Sequence, residues 1–334
     1  ASECSRYLTG ARPCLSGSWD NVATKSRLYT QGCTRVVYTV ATSTRSGVFF
    51  QPKYHEEDVT SEYCFIGFII SNGRLATRLR QTAATHEGIW RIVMIKGSLS
   101  EYPNIRHASR VPKISPKYFF SESVEHAIYV DQKLIFMQHP AVLMKIVQAP
   151  FLEMDNFTSD SRTSHSRSST SQTALMAVRH PKSKSVYQEY NAVKKALKSG
   201  RSDISMAPAK MDSQIKIYEN LSKRTPLASG GSGGGNEMDL QYGNLLDGAF
   251  LFHNLQSPQA HFFRCAWYLE YVLRSDRDQL AFPFVLSRAR RTLGGVAQDT
   301  RCDDCLVFSG ASNGQGGGGT GAHVRLLKSK MWHW

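Results

Sequence analysis

Phe262-Phe263-Arg264-Cys265-Ala266-Trp267-Tyr268-Leu269-Glu270-Tyr271, followed by Ser275-Asp276-Arg277-Asp278-Gln279-Leu280-Ala281-Phe282-Pro283-Phe284, is the most informative stretch of the chain. An aromatic-rich helical face runs into a dense polar cluster, and a second apolar run follows. The spacing predicts helices over 260–273 and 279–291, with the charges between them. Two carboxylates and an arginine crowded between core-forming segments are held on rigid elements, which is how sites for charged substrates are built. The plainer alternative is a helix N-terminus, with Ser275 or Asp276 as its cap and Arg277 and Asp278 exposed.

Outward from this stretch, strands and helices alternate. Arg35–Ala41 is a strand by its β-branched content, and Tyr63–Ile70 is a second, ending at the Ser71-Asn72-Gly73 turn. Trp90–Lys96 is a third, and Ala127–Asp131 a fourth that ends in an acid. Leu175–Arg179 and Ala249–His253 are strand-like, whereas Val186–Leu197 and Met211–Ser222 have helical spacing. Pro140–Gln148 is a short helix opening on proline. Over Val111–Phe120, Pro112 and Pro116 limit any helix. The alternation implies an α/β sheet. Residues 1–33 read as an irregular, cysteine-containing N-terminal extension and 34–293 as the single main domain. Within it, 156–173 and 228–238 read as flexible insertions, and 294–334 as a glycine-rich tail.

Hydrophobic residues make up 41% of the 334, enough for a sizeable core. The longest apolar runs, such as Phe65–Ile70, are strand-length, too short for a transmembrane helix. A chain that begins at Ala1 rather than methionine is expected either to have lost a signal, anchor or transit segment or to be numbered from a later residue. The net charge of +14 favours anionic partners such as nucleotide-sugars, acidic polysaccharides, nucleic acid or anionic lipid. No basic–aromatic stripe singles out nucleic acid. Three of the seven cysteines fall within the first 33 residues, which suits an oxidising lumen, and the odd count leaves one thiol over. Cys302-Asp303-Asp304-Cys305 reads as a local disulfide or plain thiols, since no second Cys/His pair accompanies it.

The opening stretch resembles the C-terminal motif of the TOD1/MUCI70 family (domain of unknown function 616) of glycosyltransferase-like proteins. Three further segments match in order. These are Trp90-Arg91-Ile92-Val93 with Arg106, Arg110 and Pro112-Lys113-Ile114; Ala127-Ile128-Tyr129-Val130-Asp131-Gln132-Lys133-Leu134; and Ala177-Val178-Arg179-His180-Pro181 with Val186-Tyr187-Gln188-Glu189. The resemblance covers about residues 34–290. It implies a GT-A-like (Rossmann-like) mixed sheet flanked by helices, a nucleotide-sugar donor, a glycan acceptor and a Golgi or secretory location. Three places depart from the family pattern. Ala41–Gly47 lacks its glycine turn, Cys64-Phe65-Ile66-Gly67 its acid, and Leu251-Phe252-His253 its two arginines. These departures favour an alternative: a non-catalytic subunit of a larger, organellar or nucleic-acid-containing assembly, for instance in a mitochondrion after loss of a targeting segment.

Asp131 is the sharpest single residue. In α/β sheets ligands bind beyond the carboxyl ends of strands, and an acid there can hold Mn²⁺ or Mg²⁺ or a ribose hydroxyl. Lys133 stands where GT-A enzymes place a second acid, and it can neutralise diphosphate charge itself. Arg179 and His180 follow a strand and suit phosphate binding or acceptor orientation, with Tyr187 and Glu189 on the next helix. Asp278 is the candidate catalytic base and Asp276 its alternate. Arg277 is expected to pair with the diphosphate or to keep Asp278 ionised, and Gln279 completes the substrate-binding set. His253 and His261 are weaker candidates.

Overall fold

Four of the seven residues in Arg35–Ala41 are β-branched, and such side chains pack well on a pleated surface. In the computed structural model this run is β1, at the middle of a seven-stranded sheet. The structure describes residues 19–42, 51, 62–70, 74–95, 102, 105–132, 134, 139–142, 144, 175–179, 185–199, 208–224, 245–274 and 277–294. The other strands are β2 (Tyr63–Ile69), β3 (His86–Glu87), β4 (Trp90–Met94), β5 (His126–Val130), β6 (Leu175–Arg179) and β7 (Leu246–Asn254). The helices are α1 (Asp20–Tyr29), α2 (Arg74–Gln81), α3 (Ile105–Ile114), α4 (Pro116–Phe119), α5 (Val186–Lys198), α6 (Pro208–Arg224), α7 (Pro258–Leu273) and α8 (Asp278–Gly294).

The strand order is β3-β4-β2-β1-β5-β7-β6. β4, β2, β1 and β5 are mutually parallel, while β7 runs antiparallel to both β5 and β6. Among the parallel strands, chain order gives 3-2-1-4, the inner order of a doubly wound sheet whose switch point lies between β1 and β5. This is the mixed, Rossmann-like sheet expected of a GT-A-like domain.

Helices cover both faces, so the central strands are apolar on alternate and intervening positions alike. Val36, Tyr38 and Val40 join Tyr129 and the buried residues of α3, α7 and α8 on one face. Val37 and Ala41 join Ile128, Val130 and α2 on the other. α7 opens on Ser257, whose hydroxyl accepts a hydrogen bond from Ala260 N at 3.1 Å, with Pro258 in its first turn.

Two expectations change. Residues 19–33 are not irregular: Trp19 is fully buried, and Val22, Ala23 and Ser26 carry the inward face of α1. The Trp19 indole donates to Tyr102 Oη at 3.0 Å, which in turn bonds Tyr268 Oη. Residues 1–18, the insertions at 156–173 and 228–238, and the tail from 295 lie outside the described residues. α3 begins at Ile105 and runs through Pro112, which gives up only one backbone donor.

Cys33 and Cys64 form a disulfide that ties the entry of β1 to β2 across a separation of 31 residues. Closing a loop of that length stabilises a fold by about 2–4 kcal/mol. A C33S/C64S double variant is expected to unfold at correspondingly lower urea; an unchanged midpoint would show that the bond carries no stability.

Candidate functional site

β5 ends at Val130, and Asp131 N donates to Ala249 O of β7 at 2.8 Å. Strand parity puts Asp131 on the face of Tyr129, the face covered by α3, α7 and α8. Asp131 therefore stands at the carboxyl edge of the parallel strands, beside the switch point. Arg179 ends β6 opposite Leu246, at the same edge. Its side chain, and all of Lys133, His180 and Asp276, lie outside the described residues.

α8 starts at Asp278, whose side chain is 4% exposed. Two cations one turn apart on α3 converge on it. Lys113 Nζ donates to Oδ2, and Arg110 Nε lies 3.6 Å from Oδ1. The i, i+3 spacing of Arg110 and Lys113 puts both on one helix face. β7 passes so close that a Cβ on Gly248 would run into Lys113 Nζ and stand 3.4 Å from Asp278 Oδ2. A side chain at 248 would have to displace the buried Lys113 ammonium from this close approach. The Trp267 indole donates to Asp278 O at 3.0 Å and fixes the start of α8.

Burial alone would raise the Asp278 carboxyl, but Lys113 and Arg110 outweigh it and hold the group well below the usual carboxylate range. Burial pushes the Lys113 ammonium down against the pull of Asp278. The direction at Asp278 governs, because two cations face this one carboxylate, so the pair is ionised. Burial, reinforced by Asp131, raises the Tyr129 phenol and keeps it neutral.

Arg277 pairs with Glu189 of α5, so two residues singled out in the sequence meet across 88 positions. Gln279 Nε2 donates to Leu246 O at 3.2 Å and anchors the start of β7. Tyr187 is half-buried on α5. Asp278 is thus neither exposed nor the cap of a solvated helix. Its low basicity suits it to positioning cations rather than to accepting a proton. His253 is fully buried, and burial with Arg264 and Lys113 nearby pushes its pKa well below the ordinary value. It is a neutral core residue.

Lys113 and Gly248 carry the geometry, yet sequence reasoning gave neither a role. The available signal was a basic pair at helical spacing among Ala108, Val111 and Ile114, which are all buried. Among the described residues, no three His, Cys, Asp or Glu side chains group as metal ligands. Asp131 lies within electrostatic range of Arg110 and Lys113. Among the described residues, this donor set does not fit a resident divalent cation.

No curated protein matches the sequence. Among solved structures, apo mouse xyloside xylosyltransferase 1 is similar at 9% identity and a TM-score of 0.36, over 82% of this chain and 84% of that one. A likeness at that level carries no argument about activity. Residues 7–297 match the profile of the TOD1/MUCI70, glycosyltransferase-like domain, and the chain belongs to that family.

Proposed function

We propose that the protein transfers a sugar from a nucleotide-sugar donor to a glycan or polysaccharide acceptor. The observation that carries this reading is Asp131 at the carboxyl end of β5, beside the switch point and facing the Arg110–Asp278–Lys113 cluster. In this reading Asp131 holds a donor hydroxyl, and the cations at the edge receive the phosphates. Arg179 ends β6 at the same edge, and this reading assigns Lys133 and His180, which follow the two strand ends in sequence, to the donor as well. Tyr187 and the Arg277–Glu189 pair flank the acceptor side. Asp278 orients its two cations, and the acceptor proton falls to Asp276. The Cys33–Cys64 bond, and a second disulfide that engages Cys265, support an oxidising secretory compartment.

Calorimetric titration with UDP and UDP-sugars, with and without Mn²⁺, tests the reading. Saturable binding is expected, weakened about tenfold to a hundredfold in Asp131→Ala through loss of a hydrogen bond to a charged group. No saturable heat with any nucleotide would refute it. That result would favour the second reading, a non-catalytic subunit of an assembly. A specific observation supports the second reading: Gly67, in the middle of β2, stands where the family pattern has an acid.

A further inference from the structure

The charges at the site do not balance one against one in the same way. Asp278 is engaged by the buried Lys113, which is 2% exposed. Glu189 is engaged by Arg277. Arg110 is held differently. Its Nε approaches Asp278 Oδ1 only to 3.6 Å, ion-pair range without a hydrogen bond, and Nε has no hydrogen-bond partner. Its side chain is 20% exposed, ten times as accessible as that of Lys113. It also lies within electrostatic range of Asp131 at the strand end. The guanidinium also hydrogen-bonds the Tyr129 phenol, which orients it, while Nε keeps a donor to spare; its planar fork matches two phosphate oxygens.

The same placement disfavours a divalent ion. Lys113 is already neutralised by Asp278, but a metal on Asp131 would share that carboxylate with the guanidinium charge of Arg110, and like charges repel in a partly buried site. GT-A enzymes use such an ion to neutralise the donor diphosphate; here the protein already supplies the positive charge.

Resting on the glycosyl-transfer reading, we propose that Arg110 is the diphosphate-binding residue of the donor site and that donor binding needs no divalent metal. Asp278 is then a positioning residue. It anchors Lys113 at one oxygen and leaves Arg110 oriented at the other, without touching the ligand.

The test is UDP binding by the full chain in EDTA and in Mn²⁺, with Arg110→Ala and Arg110→Lys beside the wild type. Circular dichroism and thermal melting confirm that each variant is folded. Inorganic pyrophosphate is the competing probe. The expected result is equal wild-type affinity in EDTA and Mn²⁺. Arg110→Ala should lose about tenfold or more, and Arg110→Lys should recover only part, because an ammonium lacks the fork. Pyrophosphate should displace UDP from the wild type and compete poorly in Arg110→Ala. UDP binding that survives Arg110→Ala unchanged, or that vanishes in EDTA and returns with Mn²⁺, would overturn this proposal while leaving glycosyl transfer intact. Absence of UDP binding under both conditions would overturn both. The partly exposed arginine is the right target, because substituting Lys113 would unpair a buried carboxylate and confound binding with folding.

Discussion

Replacing Asp278 with alanine is expected to destabilise the fold by about 3–5 kcal/mol, because it strands a buried ammonium without its counter-charge. Lys113 is 2% exposed and bonds the carboxylate directly, so removing the carboxylate leaves the ammonium buried without a counter-charge in place. Desolvating an unpaired ammonium costs several kcal/mol. Urea unfolding at pH 7 measures the loss. A Lys113→Met, Asp278→Leu double variant should recover much of it, since an apolar pair removes both desolvation penalties. If the double variant is as unstable as the single, the argument from unpaired charge is wrong.

The pH dependence follows from the same pair. The folded-state pKa of Asp278 lies below its unfolded value. Its contribution is therefore fully present above the unfolded pKa, about 3.9, and is lost as pH falls through the folded value. Wild-type stability should decline below about pH 4, and the Asp278→Ala variant should lack that part of the slope.

The second large effect belongs to Trp267. Its ring is fully buried, 5.0 Å from Phe282 and 6.0 Å from Phe263. Trp267→Ala should cost about 3–5 kcal/mol through lost burial and the cavity left behind. Trp267→Phe separates packing from hydrogen bonding. It keeps an aromatic ring but removes the donor to Asp278 O, and should cost about 1 kcal/mol from that bond alone. The denaturation midpoints of the two variants, set against wild type, measure the split. Equal losses in both would mean that the indole donor, not the ring, holds the start of α8.

Much of the sheet was legible because its strands carry their own signal. Arg35–Ala41 and Tyr63–Ile69 are buried on both faces, and the apolar runs matched the strands to within a residue. α1 was not legible, because it sits in a Ser-, Thr-, Cys- and Gly-containing stretch and only Val22, Ala23 and Ser26 of the helix face inward, too few to give a periodic signal. At the site, sequence selected Asp131, Glu189, Arg277 and Asp278, and the structure brings Glu189 to Arg277 and places Asp278 between cations. Sequence did not assign their roles. A lysine on a helix reads as solvated until the fold shows a carboxylate buried against it. Lys113 acquires its meaning from a residue far along the chain, and no local window contains both. His253 illustrates the converse: histidine invites a catalytic reading, but the central sheet encloses it.

Lys113 and Asp278 are 165 positions apart, and that distance is also a delay. Ribosomes add about 5–20 residues per second, so roughly 8–33 s pass between the making of the lysine and the making of its carboxylate. For that interval the nascent polypeptide holds most of a sheet and a charge it cannot yet bury. Until α8 emerges, α3 cannot dock with its lysine paired, and a product that terminates before residue 278 lacks the group that compensates the buried ammonium.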